Sequence, residues 1–195
     1  MKRLGIMGGT FNPPHLGHLE AARHAHEELG LERVLFMPTN VPAHKPLPQG
    51  SASAAQRCDM VRLMLENEPW AELSTMEIER GGVSYTVDTL RALEHAADER
   101  FLIVGTDMLM TLEKWRRYRE ICRLAVFAVV ARKEDDRAVL EKHAVRLREL
   151  YDADIRLIHC PALPLSSTEL RETGALEGKV PPAVARYIYA NRLYE

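Results

Sequence analysis

Apolar and polar positions along this chain switch repeatedly between two periods, and the switching predicts strands and helices in turn. Leu4, Ile6 and Met7 form a short apolar run, read as a strand over Arg3 to Gly8. From His15 to Leu29, the residues Leu19, Ala22, Ala25 and Leu29 recur at helical spacing, which places them on one face of a helix that Gly30 ends. Val34 to Met37 reads as a second buried strand, after which Pro38, Pro42, Pro46 and Pro48 forbid regular structure over Thr39 to Gly50. A loop that long and rich in proline suits a functional lid. The pattern continues with a helix from Ala54 to Glu66, a strand over Leu73 to Glu79, a turn at Gly81 and Gly82, and a helix from Thr86 to Ala97. Phe101 to Val104 is a third apolar strand ending at Gly105. Helical Met108 to Glu113, strand Val126 to Val130, helix Arg137 to Leu150 and strand Ile155 to His159 follow.

This alternation predicts an α/β fold, a Rossmann-like doubly wound parallel sheet covered on both faces. Ser166 to Glu195 reads as helical twice over, with Pro181 and Pro182 opening the second helix, and makes a small C-terminal helical cap. With no repeat and no interdomain linker, residues 1–195 are expected to form a single domain. Sheets of this kind bind ligands beyond the carboxyl ends of their strands.

Composition narrows the function classes. Net charge is −2 and the isoelectric point lies near 6.5. Lysine and arginine are scattered, so no nucleic-acid footprint is expected. A hydrophobic content of 46% against 28% charged residues excludes a disordered chain. No apolar run approaches the roughly 18 to 20 residues a membrane helix needs, and Lys2 and Arg3 lead straight into the first strand. No membrane partner and a cytoplasmic location are therefore expected. Cys58, Cys122 and Cys160 are too far apart in sequence for a zinc or disulfide pattern and are read as reduced, partly buried side chains. Cys160 has His159 beside it, but neighbours on a strand point to opposite faces.

The stretch GTFNPPHLGH, Gly9 to His18, follows the first strand and opens the first helix. Free N–H groups and the positive end of the helix dipole make that junction suited to an anion. His15 and His18 are three apart at the helix start, with Gly17 between them leaving room for a ligand, so their imidazoles can stabilise charge on a phosphate under attack. Zinc ligation is the rival reading. The HExxH pattern, however, uses a spacing of four and a glutamate, neither of which occurs here. A dinucleotide fingerprint also fails, since GIMGGTFN is not GxGxxG. Leu165 to Arg171, LSSTELR, is by itself a capped helix start. Read functionally, its hydroxyls and amides hold phosphates and Arg171 reaches the same anion with its planar fork.

Together these two stretches resemble the nucleotidyltransferase superfamily related to class I aminoacyl-tRNA synthetases, with its HxGH and SSTxxR elements. GGTFNPPHLGH, PTNVPAHKP, SYTVDTLRAL, FLIVGTDMLMTLEKW, LSSTELRETG and VPPAVARYIYANRLY narrow the resemblance, over essentially the whole chain, to bacterial nicotinate mononucleotide adenylyltransferases. The resemblance implies transfer of AMP from ATP to nicotinate mononucleotide, giving deamido-NAD and pyrophosphate. It implies Mg²⁺ held mainly by the ATP phosphates and no dedicated protein metal site. It implies that Gly8, Gly9, Thr10 and Phe11 line the nucleotide through backbone, with Gly105 on the ATP side and Asp107 a contact for the adenosine side or for the closed proline loop. His15, His18 and Arg171 would be the catalytic groups, and Ser167, Thr168 and Arg171 would hold ATP phosphates. His44 and Lys45 would present cations from the proline loop, and Thr86, Trp115 and Arg116 would take the pyridine ring and its carboxylate. Simpler readings stand beside these: a solvated basic loop at His44 and Lys45, a helix cap at Asp107, a core residue at Trp115. Asn12 stands where the family commonly has Asp, Ala43 where it has Pro, Leu165 where it has Ile, and Arg116 is less usual at its position. Nicotinamide mononucleotide, phosphopantetheine and a non-catalytic nucleotide-binding module are the alternatives, and a homo-oligomer stays open.

Overall fold

A computed structural model describes residues 1–43, 46–131, 137–161 and 165–195. Six strands form one sheet, all parallel: β1 (Arg3–Gly9), β2 (Arg33–Pro38), β4 (Ala71–Leu73), β6 (Glu99–Gly105), β7 (Val126–Val130) and β8 (Ile155–Ile158), in the order β4-β2-β1-β6-β7-β8. β1 is central. Its neighbours diverge in sequence to either side, so the chain reverses its direction of winding between β1 and β6 and opens a crevice at their carboxyl ends.

Alternate strand residues feed two cores. Met7, Phe36, Phe101, Ile103 and Ala128 pack with Ala22 and Ala25 of α1 (Leu16–Leu29), Met60 and Val61 of α2 (Ala54–Met64), and Val184 and Ile188 of α9 (Pro182–Ala190). Ile6, Leu35, Leu102, Phe127 and Val129 face the other way, onto Val87 and Leu90 of α4 (Thr86–Ala92), Ile121 of α6 (Tyr118–Leu124), and Leu140 and Leu147 of α7 (Arg137–Tyr151). This two-sided burial is why the strands read as apolar runs. Gly5 is required where β1 meets its first cover, since a Cβ there would lie 2.8 Å from both Leu31 and Val34.

Three regions depart from the pattern reading. The strand expected over Leu73 to Glu79 ends at Leu73 and gives way to a helix, α3 (Met76–Arg80). Met76, Glu77, Ile78 and Glu79 alternate as a strand would, but Glu77 is buried and accepts from the Thr89 hydroxyl at 2.5 Å, and that contact outweighs the local pattern. Within the proline loop, Val41–Pro42 (β3) pairs in parallel with Val83–Ser84 (β5), and the Asn40 amide N–H donates to the Ser84 hydroxyl at 2.9 Å. The helix expected over Met108 to Glu113 is α5 (Thr106–Met110) followed by a 3₁₀ turn at Leu112–Lys114. After it comes α6, which the periodicity did not suggest. The C-terminal segment does contain two helices, α8 (Ser167–Thr173) and α9, and α9 caps the sheet.

Candidate active site

The crevice between β1 and β6 is a cleft of about 100 Å³ lined by Met7, His15, His18, Gly105, Val130 and Cys160, among others. A larger hollow, about 180 Å³, lies at the opposite end of the strands among Lys2, Arg3, Glu32 and Arg33. Arg3 is bonded there to Glu99 and Arg33 to Glu72, and it sits at the amino ends of the strands, away from helix N-termini.

His15 is the N-cap of α1 and is buried, and the rings of His15 and His18 stack with centroids 3.7 Å apart. The His15 backbone N–H donates to Nδ1 of His18 at 3.2 Å. An amide is only a donor, so Nδ1 is an acceptor and the neutral His18 ring carries its proton on Nε2. Phe11, in the left-handed region with φ 50°, supports His18 edge-on at 5.1 Å and packs on Phe36 at 5.9 Å. Gly17 is needed for a close approach, because a Cβ there would meet Nδ1 and Cε1 of the His15 ring at 3.0 and 3.1 Å.

The second motif folds directly against the first. Ser166 caps α8, its hydroxyl accepting from the Glu169 amide at 3.1 Å. Ser167 donates to the Pro13 carbonyl at 2.8 Å, and Arg171 donates to the Asn12 carbonyl at 2.6 Å, with further bonds to the Ser167 carbonyl and the Thr168 hydroxyl. Residues more than 150 positions apart are thus joined at one loop.

Asn12 itself is 1% exposed and turned away from the cleft. Its Oδ1 accepts from the Ala52 amide at 3.2 Å and from the Tyr194 hydroxyl at 2.9 Å. Its Nδ2 donates to the Ser51 hydroxyl at 2.8 Å, and that hydroxyl donates in turn to the Pro48 carbonyl at 2.7 Å. Because the Ser51 proton is used on Pro48, the group facing it has to be a donor. An amide meets that demand and a carboxylate does not, which accounts for asparagine here. Burial pushes the Tyr194 hydroxyl far above the usual tyrosine range.

Sequence reasoning missed Asn12 and Tyr194 as partners, and it missed Arg57. Arg57 is wholly buried in α2 and donates to the carbonyls of Thr10 at 2.8 Å and Asn40 at 3.4 Å. Burial pushes its pKa down. A readable signal existed: Arg57 shares its helix face with Val61 and Met64, and an arginine in an apolar stripe is unusual.

The other expected site residues fall in three groups. Gly8, Gly9 and Thr10 continue β1 into the loop, with Gly8 exposed, and Ser167 and Thr168 open α8. Gly105 takes the cap position of α5, with Asp107 exposed in its first turn. Thr86 starts α4, Trp115 is 5% exposed in the second core, and the exposed Arg116 lays its guanidinium over the Tyr85 ring at 4.5 Å. His44 and Lys45 lie outside the described residues. Cys58 and Cys122 are buried free thiols, and Cys160 is a half-buried one. His159 beside Cys160 engages Glu28 through its backbone N–H at 2.9 Å. Trp70 packs half-buried at the rim of the first core, its Nε1 donating to Glu68 at 2.8 Å. Among the described residues, no group of three or more His, Cys, Asp or Glu could hold a metal ion, and no helix is long and apolar enough to cross a membrane.

Comparison with known proteins gives concordant matches. The Cytidylyltransferase-like family pattern matches residues 6–173. A protein of Neisseria meningitidis serogroup A named "Probable nicotinate-nucleotide adenylyltransferase" is 38% identical, the match covering all of both chains. One of the same name from Herpetosiphon aurantiacus is 41% identical over all of this chain and 99% of its own. The Plasmodium falciparum nicotinic acid mononucleotide adenylyltransferase complexed with NaAD superposes with a TM-score of 0.79 at 18% identity, covering 100% of this chain and 98% of the other.

Proposed function

This chain belongs to the Cytidylyltransferase-like family, and from that premise we propose that it transfers the adenylyl group of ATP to nicotinate mononucleotide, a step of NAD biosynthesis. The observation that carries the reading is the junction of the two phosphate-binding stretches. A histidine pair opens the 14-residue helix α1, and the Arg171 helix is hydrogen-bonded to the loop just before it.

In the reaction, a phosphate oxygen of nicotinate mononucleotide attacks the α-phosphorus of ATP in line. The bond from that phosphorus to the bridging oxygen breaks, and pyrophosphate leaves with the electron pair. The product is nicotinate adenine dinucleotide, formed without a covalent enzyme intermediate. His18, donating through Nε2, and His15 stabilise the charge that builds on the α-phosphate, aided by the positive end of α1. Gly8, Gly9, Thr10 and Phe11 line the nucleotide through backbone, and Gly105 and Asp107 flank the adenosine. Ser167, Thr168 and Arg171 hold the remaining phosphates, and the bonds Arg171 makes leave part of its donor fork for an anion. On the acceptor side, Trp115 stacks on the pyridine ring, backbone amides at Thr86 and Arg116 take its carboxylate, and His44 and Lys45 add positive charge.

Magnesium would be held mainly by the ATP phosphates, would keep most of its waters and would supply charge neutralisation to the leaving pyrophosphate. The test is pyrophosphate release from ATP and Mg²⁺ with nicotinate mononucleotide, nicotinamide mononucleotide or phosphopantetheine supplied in parallel. Turnover is expected with nicotinate mononucleotide, and turnover only with phosphopantetheine overturns the reading.

A further inference from the structure

Arg57 is a buried cation to which the chemistry above assigns nothing. Its two hydrogen bonds go to neutral carbonyls, its buried Nε meets no acceptor, and among the described residues no carboxylate forms an ion pair with it. A guanidinium taken wholly out of water ordinarily has an opposite charge or a complete set of acceptors.

The carbonyls it holds lie just beyond adjacent strands: β1 and β2 are paired up to Gly9 and Pro38, and Thr10 and Asn40 follow. In a trans peptide the C=O and the following N–H point in opposite directions. Drawing the Thr10 oxygen toward Arg57 therefore turns the Phe11 amide N–H away from it. Phe11 is in the left-handed region at that point, with φ 50°, a backbone turn of the kind from which anion-binding nests of amides are built.

Resting on the reading of this loop as the ATP phosphate site, we propose that Arg57 is a positioning residue for polyphosphate. It holds the Thr10–Phe11 peptide with its amide toward the phosphates and stands behind it as a buried countercharge that no described carboxylate cancels.

The probe is inorganic tripolyphosphate, titrated calorimetrically into the full chain, with ATP kinetics and thermal melting measured alongside. Arg57→Met keeps the unbranched apolar stem and removes both the charge and the two hydrogen bonds. It is expected to weaken tripolyphosphate binding by on the order of tenfold and to raise KM for ATP similarly, while KM for nicotinate mononucleotide stays within about threefold. Arg57→Lys keeps a cation that holds one carbonyl at a time and is expected to fall between Met and wild type. A purely structural arginine would lower the melting temperature of both variants and leave tripolyphosphate affinity within about twofold of wild type, which overturns the proposal. Should Arg57→Met not fold, Arg57→Lys decides: a loss of about threefold or more supports the assignment, and a smaller one refutes it. If wild type binds tripolyphosphate through Arg57 yet releases no pyrophosphate with any acceptor, the adenylyl-transfer reading fails and this assignment stands. If wild type does not bind tripolyphosphate, this assignment fails whatever the activity.

Discussion

The two ends of the proposed site are built differently. At the phosphate end, Arg57 from α2 and Ser167 and Arg171 from α8 converge on the loop that carries Asn12, mostly through backbone carbonyls. At the acceptor end, Thr86 opens the seven-residue helix α4, while Trp115 and Arg116 lie in the turn between the 3₁₀ segment and α6, tied down by an exposed cation–π contact and by the Glu113 bonds to Arg146 and Tyr151. The phosphate chemistry needs atoms held to a fraction of an ångström, whereas ring recognition tolerates adjustment. Buried hydrogen bonds supply the first, and short surface elements supply the second.

The largest expected effect lies at the phosphate end. His18→Ala removes the proposed transition-state contact and is expected to lower kcat by on the order of 10²-fold or more, with the melting temperature nearly unchanged, as steady-state kinetics and calorimetry will show. A near wild-type kcat would dissolve the contrast between the two ends. Gly17→Ala sharpens it: the added Cβ presses on the His15 ring, and a fall in kcat of about tenfold is expected, since small misplacements at a reacting centre are costly. Next is Asn12→Asp, which confronts the Ser51 hydroxyl with an acceptor. Denaturant unfolding should show a loss of about 1 to 3 kcal/mol, because a buried polar group loses its partner.

The smallest effect belongs to the acceptor end. Hydrogen bonds from Arg146 and Tyr151 hold the Glu113 carboxyl at about 2, below its ordinary 4.5. A depressed carboxyl contributes stability that is present above the unfolded value and lost as pH falls through the folded one. The melting temperature of wild type should therefore decline more steeply than that of Glu113→Gln between about pH 4.5 and 2, and the curves should converge at the acid limit. Parallel curves would mean that this contact holds nothing in place.

Both stretches of the proposed phosphate site stand out in the sequence because each is a local pattern, a loop with a capped helix start. The sheet was legible because β1, β2, β6 and β7 bury both faces and read as continuous apolar runs. What escaped notice depended on distant partners. Asn12 is explained by Ser51 and Tyr194, which lie 39 and 182 residues away, and Arg57 by a carbonyl 47 residues away. The alternation over Met76 to Glu79 misled for the same reason, since the partner that buries Glu77 is Thr89 on another helix.

The joint between the two motifs lands on the carbonyls of Asn12 and Pro13, atoms that every residue type possesses. Amino-acid replacement at the receiving positions cannot delete such an acceptor. It can only move it. An inhibitor that borrowed the same two oxygens would face a target unable to escape by exchanging a side chain at those positions, so resistance would have to arise through displacement of the loop, where it would also disturb the histidines.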